Sequence, residues 1–201
     1  MIQAILFDFG NVIAFFDHMR AIRRVADRCT MAPDLILPTV YDAPLEHDFE
    51  SGRIGGDEFL QRMKEIVGFR GDIAELRAAF IDIFWPNPPV QMMIPQLAKR
   101  YRLVLASNTN ELHAAQFRRQ FADVMQHFHA LGLSFQAGVR KPTAEFYQYC
   151  LGLAECSAEE AVFIDDVAKN VAGAAALGIR AIRYEQKLDL AVALRSLGVD
   201  V

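Results

Sequence analysis

Four short stretches of this chain carry the residue types that bind cations and phosphate, each within or just after an apolar run. Asp8 lies in ILFDFGNV, Ser107 with Asn108 and Thr109 in LVLASNTN, Lys141 in GVRKPTAEFY, and Asp165–Asp166 in AVFIDDVAKN. Carboxylates can hold a hard cation such as Mg²⁺, which takes oxygen ligands and keeps several waters. A lysine and a hydroxyl can hold phosphate oxygens, and one carboxylate is left to act as nucleophile. Taken singly, Asp8 reads as a turn or capping residue, Ser107–Thr109 as a loop and Lys141–Pro142 as a helix entry. The Asp165–Asp166 pair is different, because adjacent carboxylates repel unless a cation or donors stand nearby. All four, each at a strand-like end, point to one site.

The elements that must position them read as strands alternating with helices. Apolar runs bounded by turn residues occur at Ala4–Phe9, Leu103–Ala106, His129–Leu133, Ala161–Ile164 and Ala181–Tyr184. The first, second and fourth are nearly continuous in apolar residues, as strands covered on both faces are. Val90, Met93, Ile94 and Leu97 recur at helical spacing, as do Phe146, Tyr149, Cys150 and Leu153, and AKNVAGAAALG is Ala-rich with Gly178 placed to end a helix. This alternation predicts an α/β fold, a Rossmann-like parallel sheet with the four stretches on its carboxyl edge, where open sheets bind ligands.

Asp8 and Ser107 stand 99 residues apart, whereas a βαβ unit needs about 30. The excess reads as a helical insertion. Met19, Ile22, Val25, Ala26 and Cys29 share one face; Phe59, Leu60, Met63, Ile66 and Val67 share another; Ile73, Leu76, Phe80, Ile83 and Phe84 a third. Asp57 and Asp72 stand where N-caps belong. The expected organisation is a core of residues 1–15 and 86–201 with a helical cap over 16–85, placed to cover the site.

The chain has 201 residues, 53% of them hydrophobic, and a formal net charge of −4. Its Lys and Arg residues form no long basic block, which argues against a nucleic-acid partner. No apolar stretch reaches the roughly 18 residues of a membrane span, and the N-terminus lacks the basic region of a signal peptide. Cys29, Cys150 and Cys156 lack metal-ligand spacing and read as reduced thiols of a cytoplasmic protein. A monomer or homodimer acting on a small phosphorylated metabolite is the expectation.

FDFGNV, LASNTN, VRKP with the following EFY, and FIDDVAKNVAGAAALGI, in this order, resemble the haloacid dehalogenase-like hydrolase superfamily, in the branch with a helical cap after the first strand. The resemblance covers essentially the whole chain. It implies a phosphatase in which Asp8 is the nucleophile, Ser107 binds the phosphoryl group and Lys141 neutralises charge. It implies Mg²⁺ held by Asp8, the Gly10 carbonyl, Asp166 and, directly or through water, Asp165, with Asn170 bracing the acidic loop. Gly10, Asn11, Asn108 and Thr109 are the expected substrate-binding positions.

The family's phosphatase pattern is Asp-x-Asp, and its second Asp serves as acid and base. Here that position is Gly10, which keeps a carbonyl but no acid. A positioned acid–base group supplies about 10²–10⁴-fold, so its loss need not abolish turnover. Asp17, His18 and His47 are candidate replacements from the cap, and Phe15, Phe16, Phe49 and Trp85 candidate contributors to substrate selection. The Asp-x-Gly-Asn-Val form is similar to a bacterial subgroup that includes a glucose-1-phosphate phosphatase, which favours activity on a sugar phosphate. A non-catalytic phosphate- or protein-binding relative would also explain Gly10, but not the survival of Asp8, Ser107, Lys141 and both acids. A metal-free 2-haloacid dehalogenase leaves Asp165–Asp166 without a purpose. The Asp-Phe-Gly of protein kinases is not the expectation, because a kinase needs a Gly-rich loop and a paired Lys upstream and only seven residues precede Asp8 here.

Overall fold

The computed structural model describes residues 1–41 and 43–201. Its main sheet has five parallel strands: β1 (Ala4–Phe7), β4 (Arg102–Ser107), β5 (Ala130–Leu133), β6 (Ala161–Asp165) and β7 (Arg180–Arg183), in the order β5-β4-β1-β6-β7. Two shorter strands, β2 (Ala14–Phe16) and β3 (Phe84–Pro86), pair antiparallel beside it.

β1 is central and wholly buried, which is why AILF needs no polar alternation. Its side chains alternate between two cores, as strand geometry requires. Ile5 and Phe7 join Leu103, Leu105, Val162 and Ile164 on one face. Ala4 and Leu6 join Val104, Ala106 and Phe163 on the other. Phe117 of the helix Glu111–Gln120 and Leu190 and Leu194 of the helix Leu190–Ser196 cover the first face. Phe146, Tyr147 and Cys150 of the helix Ala144–Ala154, with Ala174 of the helix Ala168–Ala176, cover the second.

Between β2 and β3 the described residues form five α-helices, α1 (His18–Val25), α2 (Pro33–Val40), α3 (Pro44–Glu50), α4 (Gly56–Val67) and α5 (Ile73–Ile81), and a 3-10 turn at Ala26–Arg28. They enclose an apolar cluster of their own, with Ile22, Phe49, Phe59, Leu60, Met63 and Phe80 at its centre. The pairing of Phe16 with Phe84 and Phe15 with Trp85 brings the two ends of this segment together. Polar contacts among the described residues tie it to the sheet's carboxyl edge. Arg140 pairs with Glu50 at 2.6 Å, Ser134 Oγ donates to the Glu50 carbonyl at 2.6 Å, and the Gly56 N–H donates to Glu111 Oε1 at 2.6 Å. His113 Nε2 lies 3.0 Å from the Phe80 carbonyl.

Local expectations fare unevenly. Asp72 caps α5 through a full capping box with Glu75. Asp57 is not a cap: α4 starts one residue earlier behind Gly55, with Glu111 on its first N–H, and Asp57 pairs instead with Arg77. The helical spacing through Val90–Leu97 resolves into two short pieces, Pro88–Gln91 and Ile94–Leu97, the second opening on Pro95, which has no N–H to continue the first.

Candidate active site

The register of the sheet gathers the four stretches. Phe7 is level with Leu105 on one side and Ile164 on the other, so Asp8 emerges between Ser107 and Asp165. The Asp8 N–H donates to the Ile164 carbonyl at 2.9 Å, which keeps the residue in line with β6. The chain runs from β1 to β4 and β5 on one side and then crosses to β6 and β7 on the other, so the crevice is at a topological switch point.

Asp8 is buried, and both hydrogen bonds of its carboxylate among the described residues fall on Oδ1. The Phe9 N–H donates to it at 2.7 Å, and Lys141 Nζ lies 2.9 Å away. Oδ2 is left for chemistry. Lys141, itself 4% exposed, also donates to Asp165 Oδ2 at 2.6 Å. Burial works against its charge, yet the two carboxylates outweigh burial and hold its pKa above the ordinary lysine value. Burial pushes the Asp8 carboxyl from 3.8 up to about 7; Lys141 counters this, and Asp165 and Asp166 add to it. Burial also raises Asp166.

Three acids so placed are expensive without a counter-charge. Asp8, Asp165 and Asp166 each bring one carboxylate oxygen within 4.8 Å of the others, an all-oxygen donor set suited to a hard divalent cation. Asp166 lines the cleft, and Asn11 Nδ2 donates to its Oδ2 at 3.0 Å. Asn11 does so from a left-handed conformation, φ 55°, which Asn tolerates better than most residues. Asp165 sits deeper, fully buried. Its oxygens accept from Lys141, from the Val167 N–H at 2.8 Å and from Asn170 Nδ2 at 3.1 Å. It therefore braces Lys141 as much as it faces the cleft, and Asn170 is its support.

Asn108 and Lys141 are locked reciprocally. The Lys141 N–H donates to Asn108 Oδ1 at 2.8 Å, and Asn108 Nδ2 donates to the Lys141 carbonyl at 3.1 Å. Ser107 and Thr109 are buried and line a chamber of about 70 Å³ with Phe9, Gly10, Phe16 and His18. The main cleft, about 320 Å³, is lined by Asp8, Gly10, Asn11, Asn108, Lys141 and Asp166 from the expected set. Gly10 has an unexpected neighbour: a Cβ built on it would lie 2.8 Å from Phe16 Cε1 and 3.1 Å from Cδ1.

The cap-side expectations divide. Phe16 and His18 line the cleft. Phe49 is buried in the helical cluster against Phe59, and Phe15 packs with Trp85 away from both cavities. Asp17 caps α1 through the Met19 N–H, and His47 is exposed outside both cavities. Sequence reasoning missed Glu46, Glu50, Arg140 and Lys169, which also line the cleft. Only Arg140, beside Lys141 in VRKP, carried a signal.

Comparison with known proteins places the chain. The model of the haloacid dehalogenase-like hydrolase family matches residues 2–178. The chain belongs to that family. It is 25% identical over 195 residues to a D-ribitol-5-phosphate phosphatase of Bacteroides thetaiotaomicron, covering 94% of this chain and 95% of the relative. It is 26% identical over 200 residues to a sesquiterpene phosphatase of Aspergillus oryzae, covering 97% and 96%. Among solved structures, a HAD family enzyme of Bacteroides thetaiotaomicron in complex with magnesium and inorganic phosphate superposes with a TM-score of 0.85, at 22% identity, covering 97% of this chain and 100% of the other. As a family member this chain shares the hydrolase fold, and no helix among the described residues is long and apolar enough to cross a membrane.

Proposed function

We propose that this hydrolase is a Mg²⁺-dependent phosphatase of small phosphomonoesters, acting through a phosphorylated Asp8. The observation that carries it is the pairing of a cation-ready acidic trio with a buried Lys141 on the nucleophile's own Oδ1. Both relatives are named phosphatases and differ widely in the alcohol they release, which favours a shared phosphoryl chemistry over a shared leaving group. The polar lining of Glu46, Glu50, Arg140 and Lys169 suits a hydroxyl-rich alcohol, so a sugar or sugar-alcohol phosphate is the substrate class.

Asp8 Oδ2 attacks phosphorus in line, while Lys141 fixes Oδ1 and offsets the equatorial charge. Ser107 Oγ and the Asn108 backbone hold phosphoryl oxygens, whereas the Thr109 N–H donates to Ser134 Oγ at 2.9 Å and so fixes the loop instead of binding substrate. Asp8, the Gly10 carbonyl, Asp166 and Asp165 would hold Mg²⁺, which when bound would supply the charge neutralisation that phosphoryl transfer demands. The leaving oxygen takes a proton from water in the cleft, and a second water then hydrolyses the acyl phosphate. Residues 16–85 act as the cap that excludes bulk water, with 1–15 and 86–201 as the catalytic core.

The test is phosphate release from a panel of sugar and polyol phosphates, with Mg²⁺ and with chelator. Metal-dependent release supports the reading. Halide release from a 2-haloacid without metal would replace it with dehalogenation, and no turnover on any substrate would leave a binding protein.

A further inference from the structure

Hydrolysis of the phosphorylated Asp8 needs a group that accepts a proton from the attacking water. The cleft holds few candidates. Asp8 carries the phosphoryl group, Asp166 belongs to the cation site, and Lys141, Arg140 and Lys169 are basic side chains. Glu50 is ion-paired with Arg140 at 2.6 Å, and Glu46 has a partner of its own.

His18 remains. It lines the main cleft with Asp8, Asn108 and Lys141, and the small chamber with Ser107 and Thr109. Its ring is clamped: it stacks on Tyr41 at 4.0 Å between centroids, with Phe16 edge-on at 5.1 Å. Asp17 fixes the start of α1 beneath it. Its Nδ1 is buried without a hydrogen-bond partner, so a doubly protonated ring would leave one N–H unsatisfied. We propose that His18 is the general base for the second step, taking the place of a side chain that position 10 does not have.

Gly10, Phe16 and His18 then form one unit. The Phe16 ring stands where a side chain on residue 10 would begin, and the same ring holds His18 at the cleft wall. Burial lowers His18 to about 4, close to the basicity of an ordinary carboxylate, about 3.9. The proton balance closes. Water oxygen bonds to phosphorus, the bond from phosphorus to the Asp8 oxygen breaks with its electron pair returning to the carboxylate, and one water proton moves to a His18 ring nitrogen. Inorganic phosphate leaves, and His18 returns the proton to solvent.

This rests on the phosphatase reading, and one experiment separates the two. Stopped-flow hydrolysis of p-nitrophenyl phosphate with Mg²⁺ follows nitrophenol and phosphate separately. Its leaving group needs no acid, so the first step stays fast without His18. His18→Phe keeps the stack on Tyr41 and removes the base; His18→Gln is the second variant should the first not fold. In either, we expect a nitrophenol burst approaching one per chain, then steady release about 10²–10⁴-fold slower than wild type. Unchanged steady-state turnover, or loss of the burst together with turnover, overturns the assignment of His18. Wild type releasing neither product would instead remove the phosphatase reading, and this proposal with it.

Discussion

Replacing the nucleophile should stabilise this protein, and by an amount that depends on pH. Asp8→Asn is close to isosteric. The amide oxygen can keep both bonds that Oδ1 accepts, from the Phe9 N–H and from Lys141. Lys141 also retains Asp165, so no buried cation is orphaned. What disappears is a carboxylate that burial and two neighbouring acids push from 3.8 to about 7. A group whose folded-state pKa is raised binds more protons in the folded state, so the Asp8 contribution to stability is full below about pH 4 and is lost as pH rises through about 7. The full interval corresponds to about 4 kcal/mol, at about 1.4 kcal/mol per pH unit. Asn cannot ionise, so the variant escapes the loss. Urea unfolding in chelator should show Asp8→Asn more stable than wild type by about 2 kcal/mol at pH 5 and about 4 kcal/mol at pH 8. Added Mg²⁺ should narrow the gap by stabilising wild type alone. A variant no more stable than wild type at pH 8, or a gap that does not grow with pH, would refute the reasoning.

Lys141→Met should do the opposite. It leaves Asp8 and Asp165 buried without their shared cation, so chemical denaturation should show a loss of about 3–5 kcal/mol alongside lost turnover. Gly10→Ala places a methyl 2.8 Å from Phe16 and should cost about 1–3 kcal/mol by overpacking. Adding Phe16→Ala should remove most of that cost, a non-additivity that a double-mutant cycle measures. His113 is buried and lowered to about 3 by burial and by His18. Its unfolded state therefore binds the extra proton as pH falls below about 6.5, and the ring's contribution, full above that pH, should shrink by about 2 kcal/mol at pH 5. His113→Asn, lacking the titration, should show that much less acid sensitivity in urea unfolding.

The core was legible because β1, β4 and β6 are buried on both faces and therefore read as continuous apolar runs ending in Asp8, Ser107 and Asp165. Spacing alone exposed the insertion, since 99 residues cannot fit one crossover. The pairing of β2 with β3 was not legible: Ala14–Phe16 and Phe84–Pro86 are three residues each and far apart in sequence, and only their contact defines them. The same long-range closure hid the cleft's cap side. Glu50 looks like part of a solvated helix face, and it is instead held across the crevice by Arg140 at its carboxylate and by Ser134 at its carbonyl. Asp57 misled because a local capping preference lost to Glu111, a residue 54 positions away in the chain. Gly10 reads in sequence as an absence; in the fold it is the space that Phe16 occupies.

The central claim is that Asp8 carries the phosphoryl group. Its most direct test is acid quench of the enzyme during turnover of a phosphomonoester with Mg²⁺, borohydride reduction, and peptide mapping by mass spectrometry. The account predicts reduction of an acyl phosphate at Asp8 alone, in a substrate-dependent manner and absent from Asp8→Asn. Phosphate release with the label on another residue, or turnover that persists in Asp8→Asn, would contradict it.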